Sequence, residues 1–349
     1  MSGPLIGTHN GHFHADEALA VYLLRLLPDY ANSTLLRTRD AEKLNTCHTV
    51  VDVGGTYEDE KRRYDHHQRE FNTNFPNHST KLSSAGLVYM HYGKRIIAEC
   101  CPGLSQEDVT LLYEKLYDDF VEAFDANDNG ISAYDPNAIR QAGIERRFSE
   151  KGFSMASVVN RLNYSHPSPV ASATSSLSTE GKSPEQLQAE EDERFLKASQ
   201  FVGEQFVSEL MDKYHAWLPA RAAVKQAFAE RNKYDSKGRI MVISGGMPWA
   251  DHLYNLEKEN NAEGNVLYVL FPEKEEDPQG RTRIRSVSKE AGSFENRKDL
   301  PDAWKGVRDE ELSKVSGVPG GVFVHASGFI GGNQTFEGAL GMAKKAVDM

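Results

Sequence analysis

Residues 5–28 read LIGTHNGHFHADEALAVYLLRLLP, and the fold class turns on how that stretch divides. Leu5–Thr8 is a short run of strand character. From Asp16 to Leu27 the apolar residues Ala18, Leu19, Tyr22, Leu23 and Leu26 recur at helical spacing, and Pro28 closes the helix. Between the two lies a turn carrying His9, His12 and His14, followed directly by Asp16 and Glu17. A strand feeding a helix through a polar turn opens an α/β unit, and in open α/β sheets ligands collect at the carboxyl ends of the strands. The plain alternative is that Asp16 or Glu17 caps the helix, worth ~0.3–1 kcal/mol. A cap accounts for one carboxylate and for none of the histidines.

Working outward, a strand is expected near Thr34–Thr38. The apolar run Thr49–Val53, stopped by Gly54 and Gly55, predicts another. Helical patterns cover Ser84–Tyr92, Gln106–Phe124 and Met155–Leu162, which closes a first domain over residues 1–163. Residues 164–184 turn to Ser, Pro and Thr and read as a linker. Residues 185–349 hold helices at Glu185–Tyr214 and Ala220–Arg231, strands at Arg239–Ser244, Val266–Phe271, Arg281–Val287 and Gly321–His325, and a last helix at Thr335–Val347. The expected class is α/β: a mainly parallel sheet in the first domain, joined by the linker and a long helix to a smaller α+β C-terminal domain. At roughly 100–200 residues per domain, a chain of 349 has room for both cores.

Composition narrows the function. A net charge of -11 argues against coating nucleic acid by bulk electrostatics, though not against a local basic groove. No run nears the roughly 20 apolar residues of a membrane span, so no membrane partner is expected. Cys47, Cys100 and Cys101 are too few for a disulfide framework and wrongly spaced for a cysteine zinc site. Neither a signal-peptide core nor an Arg-rich transit helix opens the chain, so the expected compartment is the cytoplasm, the nucleus or both, with mitochondria as the alternative.

Six of the twelve histidines fall within the first 67 residues, and three clusters there carry chemistry. The first is the turn already described. The second is Asp52, a carboxylate at the end of an apolar strand, which needs a partner because burying it alone is costly. The third is Asp65-His66-His67. Imidazole with carboxylate suits Mn, Fe, Co or Zn, and neighbours on an irregular turn can divide their tasks, one holding metal and the next facing substrate. A fourth patch, Asp125-Ala-Asn-Asp128-Asn-Gly130, begins like a calcium loop but places Pro136 where a bidentate Glu belongs. What remains is an Asp125/Asp128 pair at the end of a helix, a position unfavourable for carboxylates unless a cation compensates.

Taken together, THNGHFHADEALA, VDVG, YDHHQREF, TKLSSAG, FDANDNGI and GGVFVHASGFIGG resemble the Myg exonuclease family, named for the melanocyte proliferating gene product, a branch of the DHH phosphoesterase superfamily. The resemblance spans nearly the whole chain. It implies a DHH-type domain binding two divalent cations, Mn2+ first with Mg2+, Co2+ or Zn2+ as substitutes, and 3′-to-5′ hydrolysis of RNA. By the same resemblance His14 and Asp16 stand where the superfamily has an Asp-x-Asp pair, and His12 where a further first-metal ligand lies. Asp52 bridges the cations, His66 ligates one, His67, with Asp65 beside it, contacts the scissile phosphate, and Asp125, with Asp128 as substitute, supplies the last ligand. Histidine in place of the first Asp departs from the superfamily pattern and leaves metal preference, and the choice of His9 or His12, open. Two cations about 3.5–4 Å apart activate a water for in-line displacement without a covalent intermediate.

Substrate selection is expected of the C-terminal domain. Gly320, Gly321, His325, Gly328, Gly331 and Gly332 resemble the superfamily's glycine-rich segment, and glycine lets backbone approach a phosphate. Arg281, Arg283 and Arg285 alternate with strand period, so their guanidinium groups share a face. The expected partner is single-stranded RNA or a short oligonucleotide; a homo-oligomer is compatible with the sequence but not legible in it. Three alternatives stand beside an RNA exonuclease: a phosphoesterase for dinucleotides, pyrophosphate or polyphosphate, a metal-binding protein without activity, and an amidohydrolase barrel. The strand-poor stretch 163–238 counts against the barrel.

Overall fold

A computed structural model describes residues 3–145, 148–149, 152–164 and 181–349. Most of the linker expected at 164–184 lies outside them. The chain forms two compact units, Met1–Met211 and Asp212–Met349.

The first unit is the α/β fold expected. Strand β1 (Leu5–Thr8) leads through the histidine turn into helix α1 (Ala15–Arg25); β2 (Thr34–Arg37), the short α2 (Ala41–Asn45) and β3 (Thr49–Val51) follow, then a hairpin of β4 (Tyr57–Glu58) and β5 (Arg63–Tyr64). The sheet order is β2-β1-β3-β5-β4, with β1, β2, β3 and β5 parallel and only β4 antiparallel. β2 and β3 pair on opposite sides of β1, so the strand order reverses there, and a crevice opens at the carboxyl ends. The hairpin was not foreseen: strands of two residues are too short to show alternation.

Helix α1 is almost continuously apolar and is buried nearly all round, as such a helix must be. It packs against α3 (Ser84–Cys100), α5 (Glu122–Asp128) and α7 (Met155–Leu162). The helical pattern read over 106–124 divides into α4 (Gln106–Leu116), a π-helical turn at Tyr117–Val121 and α5. Helix α6 (Pro136–Gln141) is exposed. Helix α8 (Pro184–Asp212) differs from the expected boundary: it belongs with the first unit because Phe195, Ala198, Val202 and Phe206 bury an apolar stripe there, and the Ser199 hydroxyl donates to the carbonyl of Ala18 at 2.8 Å.

In the second unit, α9 (Leu218–Glu230), β6 (Ile240–Val242), α10 (Ala250–Glu259), β7 (Tyr268–Pro272), β8 (Thr282–Ser286), α11 (Asp309–Ser316), β9 (Gly321–Val324), β10 (Ile330–Asn333) and α12 (Phe336–Asp348) build a sheet ordered β6-β7-β8-β10-β9. Only β6 and β7 are parallel. Alternate strand residues supply two cores: Ile240, Tyr268, Leu270 and Ile284 pack with α11 and α12, Met241 and Val269 with α9 and α10. Strand β10, Ile-Gly-Gly-Asn, was missed because glycine erases the alternation by which strands are recognised. Among the described residues no helix is long and apolar enough to cross a membrane.

Gly203 lets α8 lie against α1: a Cβ there would fall 2.0 Å from the Tyr22 ring. Gly203→Ala is expected to lower stability by about 1–3 kcal/mol through overpacking, read as a lower urea midpoint with an unchanged slope.

Candidate metal centre

All four parallel strands deliver side chains to one crevice. His9 follows β1, Arg39 lies just beyond β2, Asp52 follows β3, and Asp65, His66 and His67 follow β5. A cavity of about 640 Å³ opens there, walled also by His14, Asp16, Lys81, Asn127 and Asp128. Asp52 takes a left-handed backbone conformation, φ 57°, which is uncommon outside glycine and turns its carboxylate from the strand into the crevice.

The polar atoms converge. His9 Nε2 lies 3.1 Å from Glu17 Oε1 and 3.3 Å from Asp52 Oδ2, and His66 Nε2 lies 3.2 Å from Asp52 Oδ1 and 2.9 Å from Asp128 Oδ2. Among the described residues, three groups of side chains bring ligand atoms within 4.8 Å of one another: His9, His14, Glu17 and Asp52; Asp52, His66 and His67; and His14, Asp16 and Asp128. Asp52 and His14 each belong to two of them. Asp16 is 1% exposed; its Oδ2 accepts from Ser84 Oγ at 2.8 Å, while among the described residues its Oδ1 has no hydrogen-bond partner. Asp52 Oδ1 and both His66 ring nitrogens are buried and likewise lack aligned partners among the described residues. Atoms that approach a common point without bonding one another are what a cation site looks like, and O/N donors of this kind fit divalent first-row metals.

Charge leads to the same place. Burial, reinforced by Asp52, Asp128 and Glu17, pushes Asp16 well above the usual carboxylate range. Burial would lower His9 and His66, but the carboxylates beside them win: His9 rises to about 10 through Asp52 and Glu17, His66 to about 9 through Asp128 and Asp52. Burial would raise Asp52, yet those two imidazoles hold it at about 2. The protein alone therefore gathers protons into the crevice to offset clustered negative charge, the role a metal ion fills once bound.

The geometry turns two of the expected ligands, Asp125 and His12, toward partners other than the cluster. Asp125 is fully buried and turned away: it accepts from Ser83 N (2.8 Å), Ser83 Oγ (2.7 Å), Gly86 N (3.1 Å) and Tyr117 Oη (2.9 Å), tying α5 to the start of α3. Asp128, one turn on, reaches the crevice instead. His12 is exposed and its Nε2 meets Asn160 Oδ1 at 3.0 Å, while His9 occupies the cluster. Asp65 lies beside the cluster: its Oδ1 holds His67 Nδ1 at 2.7 Å, and its Oδ2 accepts from the backbone of Gly55. The bond to His67, against some loss to burial, raises that imidazole.

Sequence reasoning passed over Arg39, Lys81, Asn127 and the braces of the histidine turn, and it counted Glu17 in the histidine cluster or as a cap without giving it a ligand role. Glu17 accepts from the His14 amide at 2.9 Å while touching His9, so the helix-cap reading and the site reading meet in one residue. Glu191 of α8 accepts from Gly11 N and from the buried Arg37, each at 2.7 Å, and Arg37 donates to the Gly11 carbonyl at 2.7 Å. Asn163 brackets Phe13 with two bonds of 2.8 Å. None of these long-range partners has a local sequence signature.

In the second unit Arg283 and Arg285 do share one face of β8 and lie over the rings of Phe323 (4.8 Å) and Phe329 (4.3 Å), with Arg283 also paired to Glu273. Arg281 is exposed just before the strand. His325 packs its ring 4.7 Å from Phe329. Gly332 sits opposite Arg283. The other glycines have packing reasons: Gly320 and Gly328 take positive φ, and a Cβ at Gly321 or Gly331 would strike Leu312 or Leu300 at 2.9 Å.

Comparison with known proteins follows the same lines. The family model MYG1_exonuc, described as "Uncharacterised protein family (UPF0160)", matches residues 5–347. The MYG1 exonuclease of Mus musculus is 45% identical over 353 residues, covering 99% of this chain and 85% of that protein. The MYG1 exonuclease of Homo sapiens is 44% identical over 99% and 86%, and the MYG1 protein of Saccharomyces cerevisiae 41% over 98% and 95%. A crystal structure of exonuclease RecJ bound to manganese is similar at 13% identity, covering 99% of this chain and 91% of that one with a TM-score of 0.26, too low to carry inference.

Cation binding is expected to release protons, since His9 and His66, raised to about 10 and about 9, hold protons at neutral pH that a metal must displace. Affinity should therefore climb as pH rises from about 6 to 9, with proton release shown by calorimetry in buffers of differing ionisation enthalpy. Asp128→Asn should weaken the cation at least about tenfold. Asp125→Ala should instead cost ~2–4 kcal/mol of stability by stranding four donors, and equal metal affinity losses in the two variants would contradict this division.

Proposed function

Because the chain belongs to the MYG1 exonuclease family, we propose that it is a metal-dependent phosphodiesterase that acts as a 3′-to-5′ exonuclease on single-stranded RNA, using two divalent cations, Mn2+ first. The observation that carries the reading is the set of overlapping His/carboxylate groups joined through Asp52 at the strand ends. The exonuclease names of the mouse and human relatives support nucleic acid as the substrate class. Direction and RNA preference come from the family resemblance of the motifs.

His9, His14, Asp16, Asp52, His66 and Asp128 would hold the cations, with Glu17 orienting His9. Bound there, divalent cations supply an acidified water and positive charge for in-line displacement at phosphorus. The chain's own groups do the rest. Asp65 engages His67 Nδ1 and so leaves Nε2 to donate to a phosphate oxygen or to the leaving group. The Asp65 bond raises His67, which enlarges the protonated fraction near neutrality. Lys81 and Arg39 on the cavity wall offset charge on the non-bridging oxygens. In the second unit, Arg283 and Arg285 backed by phenylalanine rings suit a phosphate chain with unstacked bases, the combination single-stranded ligands favour.

The test is a Mn2+-restored digestion of RNA, DNA, dinucleotides, pyrophosphate and polyphosphate. RNA labelled at its 5′ end should give a descending ladder, and 3′ label should leave at once as mononucleotide. His67→Ala is expected to lower kcat about a hundredfold to ten-thousandfold with KM little changed. Hydrolysis confined to dinucleotides or pyrophosphate would replace the exonuclease reading with a small-phosphate one. Cation binding with no turnover of any substrate would leave a metal-binding protein.

A further inference from the structure

Two smaller cavities share walls with the cation cavity. One, of about 220 Å³, lies between the π-helical turn with α5 and the start of α7, and it has Ala15, Phe124 and Asn127 in common with the cation cavity. The other, of about 460 Å³, shares His14, Ala15 and Asn127 and includes Asn160 and Arg161. The two differ in chemistry. Phe120, Ala123, Phe124, Met155 and Ala156 make the first almost wholly apolar, and among the described residues the only charged one lining it is Asp119. A phosphate entering it would lose its hydration against apolar walls, and the Asp119 carboxylate there is already paired with Lys115 at 2.9 Å.

We propose that the apolar cleft between α5 and α7 receives one of the two bases flanking the scissile phosphate. The inference rests on the phosphodiesterase reading and adds a subsite to it. Base and phosphate of one nucleotide are a single sugar apart, and cleft and cation cavity share a wall at Ala15, Phe124 and Asn127. The cleft's small volume admits one flat ring system. Its phenylalanine and methionine side chains offer the faces on which any base packs. Asn127 lines all three cavities, and among the described residues its side-chain amide makes no hydrogen bond. It carries both a donor and an acceptor for a base edge. The polar cavity beside Arg161 is left for the sugar-phosphate chain, so the fork at Asn127 separates base from backbone.

Dinucleotides lacking the base on either side of the phosphodiester test this, with wild type and Ala123→Leu compared. Ala123 is exposed on α5, so leucine there should fill the cleft and leave the fold intact. Wild type should lose about tenfold to hundredfold in KM when one particular base is removed. Ala123→Leu should show the same loss on the complete dinucleotide and none on the one lacking that base. The enlarging variant Met155→Ala should weaken only base-bearing substrates. A KM for Ala123→Leu within about twofold of wild type on the complete dinucleotide overturns the proposal, as does equal slowing of complete and base-free substrates. A binding readout stands apart from turnover: 2-aminopurine riboside monophosphate should be quenched by wild type and not by Ala123→Leu. If no phosphodiester is hydrolysed but quenching follows this pattern, the subsite stands and the catalytic reading fails. Normal hydrolysis without quenching keeps the catalytic reading and overturns the subsite.

Discussion

Carboxylates packed out of water at one place cannot all keep their charge unless something positive joins them. Asp16, Glu17 and Asp52 are buried together, with Asp128 at their edge, and the rest of the first unit is arranged around that fact. Parallel strands bring their carboxyl ends side by side, so the groups meet without any loop having to cross the sheet. Helix α1, buried nearly all round, fixes Asp16 and Glu17 in its first turn, where the helix dipole favours negative charge. The imidazoles of His9 and His66 then serve in two capacities. Protonated, they neutralise the crevice; deprotonated, they are ligands.

The left-handed backbone at Asp52 belongs to this economy of space. In an extended conformation its side chain would continue the alternation of β3 and point into one face of the sheet. Turning φ positive redirects the carboxylate to the strand end, between two imidazoles whose joint attraction holds it ionised. Backbone strain of roughly 1–3 kcal/mol at a non-glycine residue is tolerable where the surroundings over-determine it.

Much of this was legible in the sequence. The strand-turn-helix opening, the strand-end position of Asp52 and the Asp65-His66-His67 run all lie close in sequence to their elements, and local pattern reports such placements. Distinguishing Asp125 from Asp128 was beyond that reach. The two are three residues apart, near enough on a helix to look equivalent, and what separates them is the amino end of α3, which with Tyr117 claims Asp125 through four donors. His9 and His12 posed the same problem across the sharp bend at Gly11, where φ is +85°. In the fold, what escaped notice was short or glycine-rich, as in the β4–β5 hairpin and β10. Helix α8 was recognised as a helix, but its side of the boundary depended on which surface its apolar stripe would meet.

The braces on the histidine turn carry a consequence for biosynthesis. Gly11 is held by Glu191, 180 residues downstream, and Phe13 by Asn163, 150 downstream. Sheet and ligands are all present once the first 128 residues have left the ribosome, yet the turn that aims His9 and His14 is still without its struts. Synthesis at about 5–20 residues per second therefore leaves an interval in which the nascent chain owns every ligand but not their arrangement. The turn is fully braced only when α8 has emerged and docked.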